Sequence, residues 1–209
     1  MAAGPIEITA DTIEYRENIV IAQGNVTIVS EQLKAVAPHA KYDTKSAEML
    51  LSGGVHATRG ELTLTAANIQ TLGKEQILAT GQVVATEAKQ RLSGDRVDYW
   101  SDRQYAIVTG NAALNNEDTI LKAPKIEAWT QEQRAIATGG VEIVSDTRKL
   151  TATASRVDYA AENGGQAILT GNAHVVQDGN TMTGEKIVMD LNNKAVTTNT
   201  RTKLVIKPQ

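Results

Sequence analysis

The sequence predicts an all-β protein, an elongated antiparallel two-sheet sandwich or folded-over β-jelly roll built from two-strand repeats of about 29 residues. The first observation behind this prediction is a recurring phrase with a central glycine, which reads Ile-Val-Thr-Gly-Asn-Ala at residues 107–112 and Ile-Leu-Thr-Gly-Asn-Ala at residues 168–173. Its copies place their glycines at nearly even intervals, at Gly24, Gly53, Gly81, Gly110, Gly139 and Gly171. A fixed period of this length is typical of proteins in which each repeat is one structural unit stacked on the next.

A second phrase, which alternates with the glycine phrase, is the second observation. It begins at Ile8 as Ile-Thr-Ala-Asp-Thr-Ile-Glu-Tyr and returns along the chain. Its third residue is always small: Ala10, Ala37, Ala66, Gly94, Ala123, Ala154 and Gly184. Its sixth residue is always apolar: Ile13, Ala40, Ile69, Val97, Ile126, Val157 and Ile187. Alternation within each half predicts a half-buried strand, but the two halves are out of phase. We therefore expect a bulge at the small residue, where the strand turns a corner.

Short polar connectors between the phrases are the third observation. Residues 43–46, 101–104 and 177–180 have the composition and length of turns. Strands joined by turns this short pair antiparallel, which gives roughly 14 strands and no helix. Corners inside every strand let each one contribute to two facing sheets, since a flat sheet of this length would leave an apolar face exposed. The first and last strands remain unpaired edges to which another chain can add.

Composition narrows the class of protein. The 209 residues are 41% hydrophobic and 22% charged, as in an ordinary globular protein. No segment resembles a linker, so we expect a single domain over residues 1–209. Aromatic residues make up 3% and Phe is absent, so aliphatic side chains must fill the core. The net charge of -3 gives no reason to expect nucleic acid. No apolar run approaches the roughly 20 residues of a membrane span, and we expect any signal peptide to be absent from this chain.

The same phrases carry a resemblance to a known family. The opening Pro5–Asp11, the recurring Thr-Gly-Asn phrases and the segment Gly184–Ile187 are similar to sequences of the OstA-like family of lipopolysaccharide transport proteins. The tail, Lys194–Thr198 and Thr202–Ile206, resembles the C-terminal strands of that family. The chain carries more repeats than the familiar short members and lacks their Phe. These departures leave open a longer bridge protein, the N-terminal domain of the outer-membrane partner, or an engineered chain.

The resemblance implies a fold, a ligand and partners. The implied fold is a V-shaped jelly roll whose interior holds the acyl chains of lipopolysaccharide or a related glycolipid. It also implies a periplasmic bridge that associates head to tail with itself and meets inner- and outer-membrane transport components with similar jelly rolls. No cofactor and no enzymatic activity are implied. The residues alone allow a different class, a structural β-repeat scaffold or filament without a lipid ligand.

We expect lipid contacts at positions that the alternation directs inward. These positions are Ile6, Ile8, Ile13, Tyr15, Val26, Ile28, Leu64, Ile69, Val83, Leu92, Val97, Tyr99, Ile126, Val141, Ile143, Val157, Tyr159 and Ile187. Alanines such as Ala35, Ala57 and Ala85 stand where neighbouring repeats carry bulky residues, which favours an incompletely filled interior. The simpler alternative is that all these side chains only fill a core.

Catalytic and metal sites are not expected. The chain has no Cys, and His56 and His174 share a repeat position but lie far apart in the sequence, so no metal site is predicted. Asp95 and Asp98 resemble a carboxylate pair, but an offset of three in an extended strand places them on opposite faces, where we expect both to be solvated. A polysaccharide-cleaving enzyme is the weakest of the three hypotheses because no acid/base cluster is visible.

Overall fold

The computed structural model describes residues 5–31, 33–116, 118–161, 165–191, 195–198 and 201–207, and within these ranges every regular element is a β-strand. The strands are β1 (Glu7–Thr9), β2 (Thr12–Arg16), β3 (Ile19–Ser30), β4 (Leu33–Asp43), β5 (Glu48–Arg59), β6 (Leu62–Leu72), β7 (Gln76–Glu87), β8 (Gln90–Trp100), β9 (Tyr105–Asn116), β10 (Thr119–Trp129), β11 (Arg134–Ser145), β12 (Leu150–Ala160), β13 (Gln166–Gln177), β14 (Asn180–Asp190), β15 (Ala195–Thr197) and β16 (Thr202–Val205). In the described residues there is no helix long and apolar enough to cross a membrane.

The chain forms two compact units, Met1–Asp102 and Arg103–Gln209. In each unit every long strand pairs antiparallel with the next one along the chain. The first unit begins with a divided strand, because β1 and β2 pair with successive halves of β3. The second unit ends in the same way, because β15 and β16 both pair with β14. These observations confirm the all-β antiparallel prediction; a single domain over residues 1–209 stays a prediction.

The paired long strands shift register near their middle, where the phase change in the sequence predicts a bulge. The extra residue lies on the strand with the glycine phrase and not at the small residue of the second phrase. In the pairing of β3 with β4 the register shifts between Gln23 and Val26, and the other pairs shift at the equivalent place. The glycine at the bulge and the residue after it both have positive φ, as in Gly24 (75°) and Asn25 (50°). Glycine and asparagine tolerate this left-handed conformation better than other residues, which explains the Thr-Gly-Asn phrase.

The bulge glycines also lack room for a side chain. A Cβ at Gly81 would lie 2.5 Å from the Cβ of Ala67, on the neighbouring strand. At Gly171 it would lie 2.8 Å from the Cβ of Ser155. Ala67 and Ser155 each follow the small third residue of the second phrase. The two phrases therefore alternate because one supplies the glycine against which the corner of the other packs.

The bulges divide each unit into two arms. The first arm contains the strand segments that precede each bulge glycine and the segments paired with them; the second arm contains the segments on the other side. Val26 and Ile187 are both 0% exposed, although the described chain offers no helix to cover them. In the second unit Leu150 and Gln177 of the second arm line the same recess as Met189 and Val196 of the first arm. The two arms of a unit therefore cover each other's apolar faces.

Candidate functional site

Every repeat contributes buried apolar residues to the interior between the arms. The residues two positions before each bulge glycine are buried: Ala22, Leu51, Ala79, Val108, Ala137 and Leu169. The residues two positions after it are buried as well: Val26, Val55, Val83, Ala112, Val141 and Ala173. The extra residue at the bulge keeps both sets opposite buried residues of the neighbouring strand: Ala22 pairs with Ala40, and Val26 pairs with Ala37. Each repeat thus contributes apolar residues at the same two positions to the interior of its unit.

The structure distributes the predicted lipid-contact residues over three environments. Nine are buried: Val26, Ile28, Ile69, Val83, Ile126, Val141, Ile143, Val157 and Ile187. Six are half-buried: Ile8, Leu64, Leu92, Val97, Tyr99 and Tyr159. Three at the start of the chain are exposed: Ile6, Ile13 and Tyr15. Ile13 is paired with the buried Ala22, so it lies on the interior side of an edge that no other described strand covers. Contact of these residues with lipid stays a prediction.

Several interior residues are missing from the predicted set. Leu51, Val108 and Leu169 are at most 5% exposed and lie two residues before a bulge glycine. Their fixed distance from the glycine is a signal that the sequence does contain. Leu150, 3% exposed, has no such signal, because it begins a strand and is buried by the facing arm. Its burial depends on contacts between arms, which no local pattern reports.

The arms leave little space between them at the end of the second unit. The recess between the arms of the second unit measures about 10 Å³, room for about one water molecule. A larger recess of about 540 Å³ opens on the outer face instead, beside His174, Arg201 and Lys203. An elongated apolar ligand would therefore have to separate the arms and replace contacts between their side chains with contacts to itself.

The mouth between the arms is more open in the first unit than at the end of the second. Tyr15 and Leu33, at the far ends of the two arms of the first unit, are 64% and 41% exposed. Leu150 and Met189, at the corresponding ends in the second unit, are both 3% exposed. Access for a ligand from water is consequently easier in the first unit.

The terminal strands expose apolar side chains along unpaired edges. Ile13 in β2 is 50% exposed, and Leu204 in β16 is 54% exposed. In the described residues β2 pairs only with β3, and β16 only with β14, so each keeps one side free for another strand. Free backbone groups next to apolar side chains are suited to pairing with a further β-strand.

The outer face carries paired charges. Arg96 donates to the two carboxylate oxygens of Asp98, at 2.6 Å from Nε and 2.8 Å from Nη2. Asp98 is 9% exposed, so the prediction that it is solvated is wrong: Arg96, two residues earlier on the same strand, covers it. The prediction of opposite faces assumed a straight strand, but the register shifts between Gly94 and Arg96, next to Asp95.

A second polar cluster lies on the outer face of the second unit. The Tyr105 hydroxyl donates to Oε2 of Glu127 at 2.6 Å, and Lys125 Nζ lies 2.5 Å from Oε1. The hydrogen bond from Lys125, followed by that from Tyr105, holds the pKa of Glu127 below its ordinary value. Burial, together with the hydrogen bond to Glu127, raises the pKa of Tyr105 to about 12. These groups face away from the interior and contribute to the stability of the sheet.

Metal ligation finds no support in the described part of the chain, where no group of three or more His, Cys, Asp or Glu side chains converges. His39, His56 and His174 are all exposed. On the outer face, the ion pairs Arg96–Asp98, Lys125–Glu127 and Arg156–Asp158 each join groups of opposite charge.

Fold and interior together define a class of protein. An open antiparallel β-repeat with an apolar interior and unpaired edge strands is suited to enclosing apolar ligands and to adding strands from other chains. The family model described as LptA/(LptD N-terminal domain) LPS transport protein matches residues 34–134 and 130–195. The chain belongs to this family of lipopolysaccharide transport proteins, which confirms the resemblance seen in the sequence.

Other comparisons give weaker similarity. No curated protein matches the chain. Among solved structures, the chain is similar to LptH from Pseudomonas aeruginosa, described as the LptA homologous periplasmic component of the conserved lipopolysaccharide transport device. The sequence identity is 16%, the match covers 98% of this chain and 96% of that one, and the TM-score is 0.21. These values are too low to transfer the role of any residue.

Proposed function

We propose that this protein is a periplasmic bridge for lipopolysaccharide or a related glycolipid, which it holds by its acyl chains between the two arms. The observation that carries the proposal is the apolar interior of each unit, to which each repeat contributes buried residues on both sides of its bulge. Membership in a lipopolysaccharide transport family supplies the ligand class. Because apolar burial contributes about 25 cal/mol per Å², acyl chains would bind there without any specific polar contact.

The proposal includes head-to-tail association. The exposed apolar residues of β2 and β16 lie on edges that are unpaired within the described chain. Pairing of the last strand of one copy with the first strand of the next would continue the interior from copy to copy. The same edges would receive the jelly rolls of inner- and outer-membrane transport components. A periplasmic location follows from this role and accords with the description of LptH as a periplasmic component.

A structural scaffold without lipid is the second candidate, and the close packing between the arms at the end of the second unit favours it. Mass spectrometry of lipid extracted from the purified protein separates the two functions. We expect stoichiometric lipopolysaccharide or a related glycolipid when the protein is produced in the periplasm of a Gram-negative host. Protein that forms filaments but retains no lipid, even after incubation with lipopolysaccharide, would contradict the transport function and leave the scaffold.

A further inference from the structure

The ends of the two arms differ in chemistry. In the first unit the last inward-facing positions of the first arm are Tyr15, Val20, Tyr42, Met49, Ile77 and Tyr99. Thr71 completes this row, and its hydroxyl accepts a hydrogen bond from the Met49 amide at 2.8 Å. We call this row the apolar rim. It contains no charged residue and places three tyrosines along one side of the mouth.

The second arm ends in a different row. Its last inward-facing positions in the first unit are Ser30, Leu33, Arg59, Leu62, Glu87 and Gln90. We call this row the polar rim. Arg59, Glu87 and Gln90 are exposed. The two sides of one mouth thus present apolar and aromatic side chains on one arm, and mainly hydrogen-bonding and charged side chains on the other.

The second unit repeats the contrast with different residues. Its first arm ends in Ala106, Ala128, Ala135, Tyr159, Ala167 and Met189. Its second arm ends in Asn116, Thr119, Ser145, Leu150, Gln177 and Asn180. Four of the five Tyr of the chain lie in these two first-arm rows: Tyr15, Tyr42, Tyr99 and Tyr159. The asymmetry therefore belongs to the repeat and is not an accident of a single strand.

A mouth with one apolar and one polar side matches the two ends of an amphipathic lipid. We propose that the rims orient the bound glycolipid, with its acyl chains against the apolar rim and its sugar–phosphate headgroup against the polar rim. This inference rests on the proposed function and specifies which arm each end of the lipid contacts. The opposite orientation would place the phosphates beside a row without any cation and the acyl chains beside the charged side chains of Arg59 and Glu87, at a cost in free energy.

The tyrosines suit the border between acyl chains and water. A tyrosine ring contributes apolar contact area while its hydroxyl stays hydrated. In the described part of the chain, Tyr42 and Tyr99 make no side-chain hydrogen bond within the protein, unlike Tyr105 with Glu127. Both are half-buried. Their rings are therefore available to chains that enter between the arms.

The charges of the polar rim also indicate where the phosphate and the sugar of the headgroup would lie. Arg59 is its cation, and a guanidinium binds phosphate through paired hydrogen bonds. Glu87 is its anion, two strands away at roughly 10 Å, and it would repel phosphate but accept hydrogen bonds from sugar hydroxyls. A phosphate of the headgroup would consequently lie towards Arg59, and uncharged sugar towards Glu87 and Gln90.

Two labels on one strand test the orientation. Since the chain has no Cys, Gln90→Cys and Tyr99→Cys each give a single attachment site for a fluorophore, on opposite rims of β8. Their separation is at most roughly 30 Å along the strand, well beyond the range of contact quenching. Each labelled protein is loaded with lipopolysaccharide carrying a nitroxide quencher either on its sugar headgroup or on an acyl chain, and bound lipid is quantified by mass spectrometry.

We expect the headgroup nitroxide to quench the label at position 90 and not that at position 99, and the acyl nitroxide to do the reverse. Retained lipid with the opposite pattern, or with equal quenching at both positions, would overturn the orientation while leaving the proposed function intact. Failure of both labelled proteins and of the unmodified protein to retain lipid would refute the proposed function, and the orientation with it.

A charge variant tests the phosphate contact independently. Arg59→Gln should abolish the preference for phosphorylated over enzymatically dephosphorylated lipopolysaccharide in a binding titration. Arg91, exposed on the outer face at the same end of the sheet, is the matched control, and Arg91→Gln should preserve that preference. Equal preferences in the two variants would contradict the assignment of Arg59.

Discussion

At the scale of single residues, the bulge glycines are the positions that the fold tolerates least. Gly81 has φ of 81°, and a Cβ there would lie 2.5 Å from the Cβ of Ala67. We expect Gly81→Ala to lower the free energy of unfolding through both a left-handed alanine, about 1–2 kcal/mol, and overpacking, about 1–3 kcal/mol. Urea denaturation measures the change.

Gly60 is the matched control for this prediction. Its φ is 58°, but no heavy atom lies within 4 Å of an added Cβ. Gly60→Ala should therefore show only the backbone contribution, about 1–2 kcal/mol. If the two variants unfolded at the same urea concentration, the close approach of the two corners would have no energetic weight.

Tyr105 gives the fold a dependence on alkaline pH. Its folded-state pKa is raised to about 12, because burial and Glu127 favour the neutral phenol. A raised pKa contributes stability that is present below the ordinary value near 10 and is lost as the pH rises towards 12. The denaturation midpoint should therefore fall across this range. The midpoint of the Tyr105→Phe variant should fall less steeply with pH than that of the wild type. Equal slopes for the two proteins would contradict the role of Tyr105.

At the same scale, the sequence predicts backbone conformation better than side-chain pairing. The positive φ at Gly24 and Asn25 follows from residue type and period. The burial of Asp98 under Arg96 does not, because it depends on a register shift that moves the faces of the strand. The burial of Leu150 is not predictable from the local sequence either, because the opposite arm buries it.

At the scale of the strand, the small residues at the corners should resist enlargement. Ala66, Ala123 and Ala154 are 6–7% exposed, which confirms their predicted burial. Replacing each by Leu should lower the free energy of unfolding by about 1–3 kcal/mol, because the side chain must enter a packed bend. Thermal and urea denaturation measure the change for each variant.

An exposed strand position provides the control for the corner variants. Ala195 in β15 is exposed, and Ala195→Leu should cost less than about 0.5 kcal/mol. Ala88, a turn residue, is less suitable because its φ of 49° is itself left-handed. Equal costs at Ala66 and Ala195 would mean that the corners are not packed as described.

Also at this scale, the period predicts the long strands and the corner in each, but not the division of the terminal strands. Counting β1 with β2 and β15 with β16 as divided strands recovers the number expected from the repeats. A terminal strand pairs with a described neighbour on one side only. The corner residues, such as Ala10 and Asp11, therefore lack a second strand that would hold them in the sheet.

At the scale of the whole molecule, the open edges predict association. Leu204 and Ile206 are 54% and 68% exposed at the C-terminal edge. Deleting residues 195–209 should lower the average mass measured by concentration-dependent light scattering, because the deletion removes β15 and β16. A full-length protein that stays strictly monomeric at high concentration would contradict head-to-tail bridging.

The central claim is that lipid acyl chains lie between the arms, and site-specific photo-crosslinking tests it most directly. Ile8 faces the interior, opposite the buried Ile28, whereas Glu7 next to it is exposed and points outward. A photoreactive amino acid at Ile8 or Tyr99 should capture lipopolysaccharide in the presence of a transport-competent donor, and one at Glu7 should not. Equal capture at Ile8 and Glu7, or capture at neither Ile8 nor Tyr99, would contradict the account.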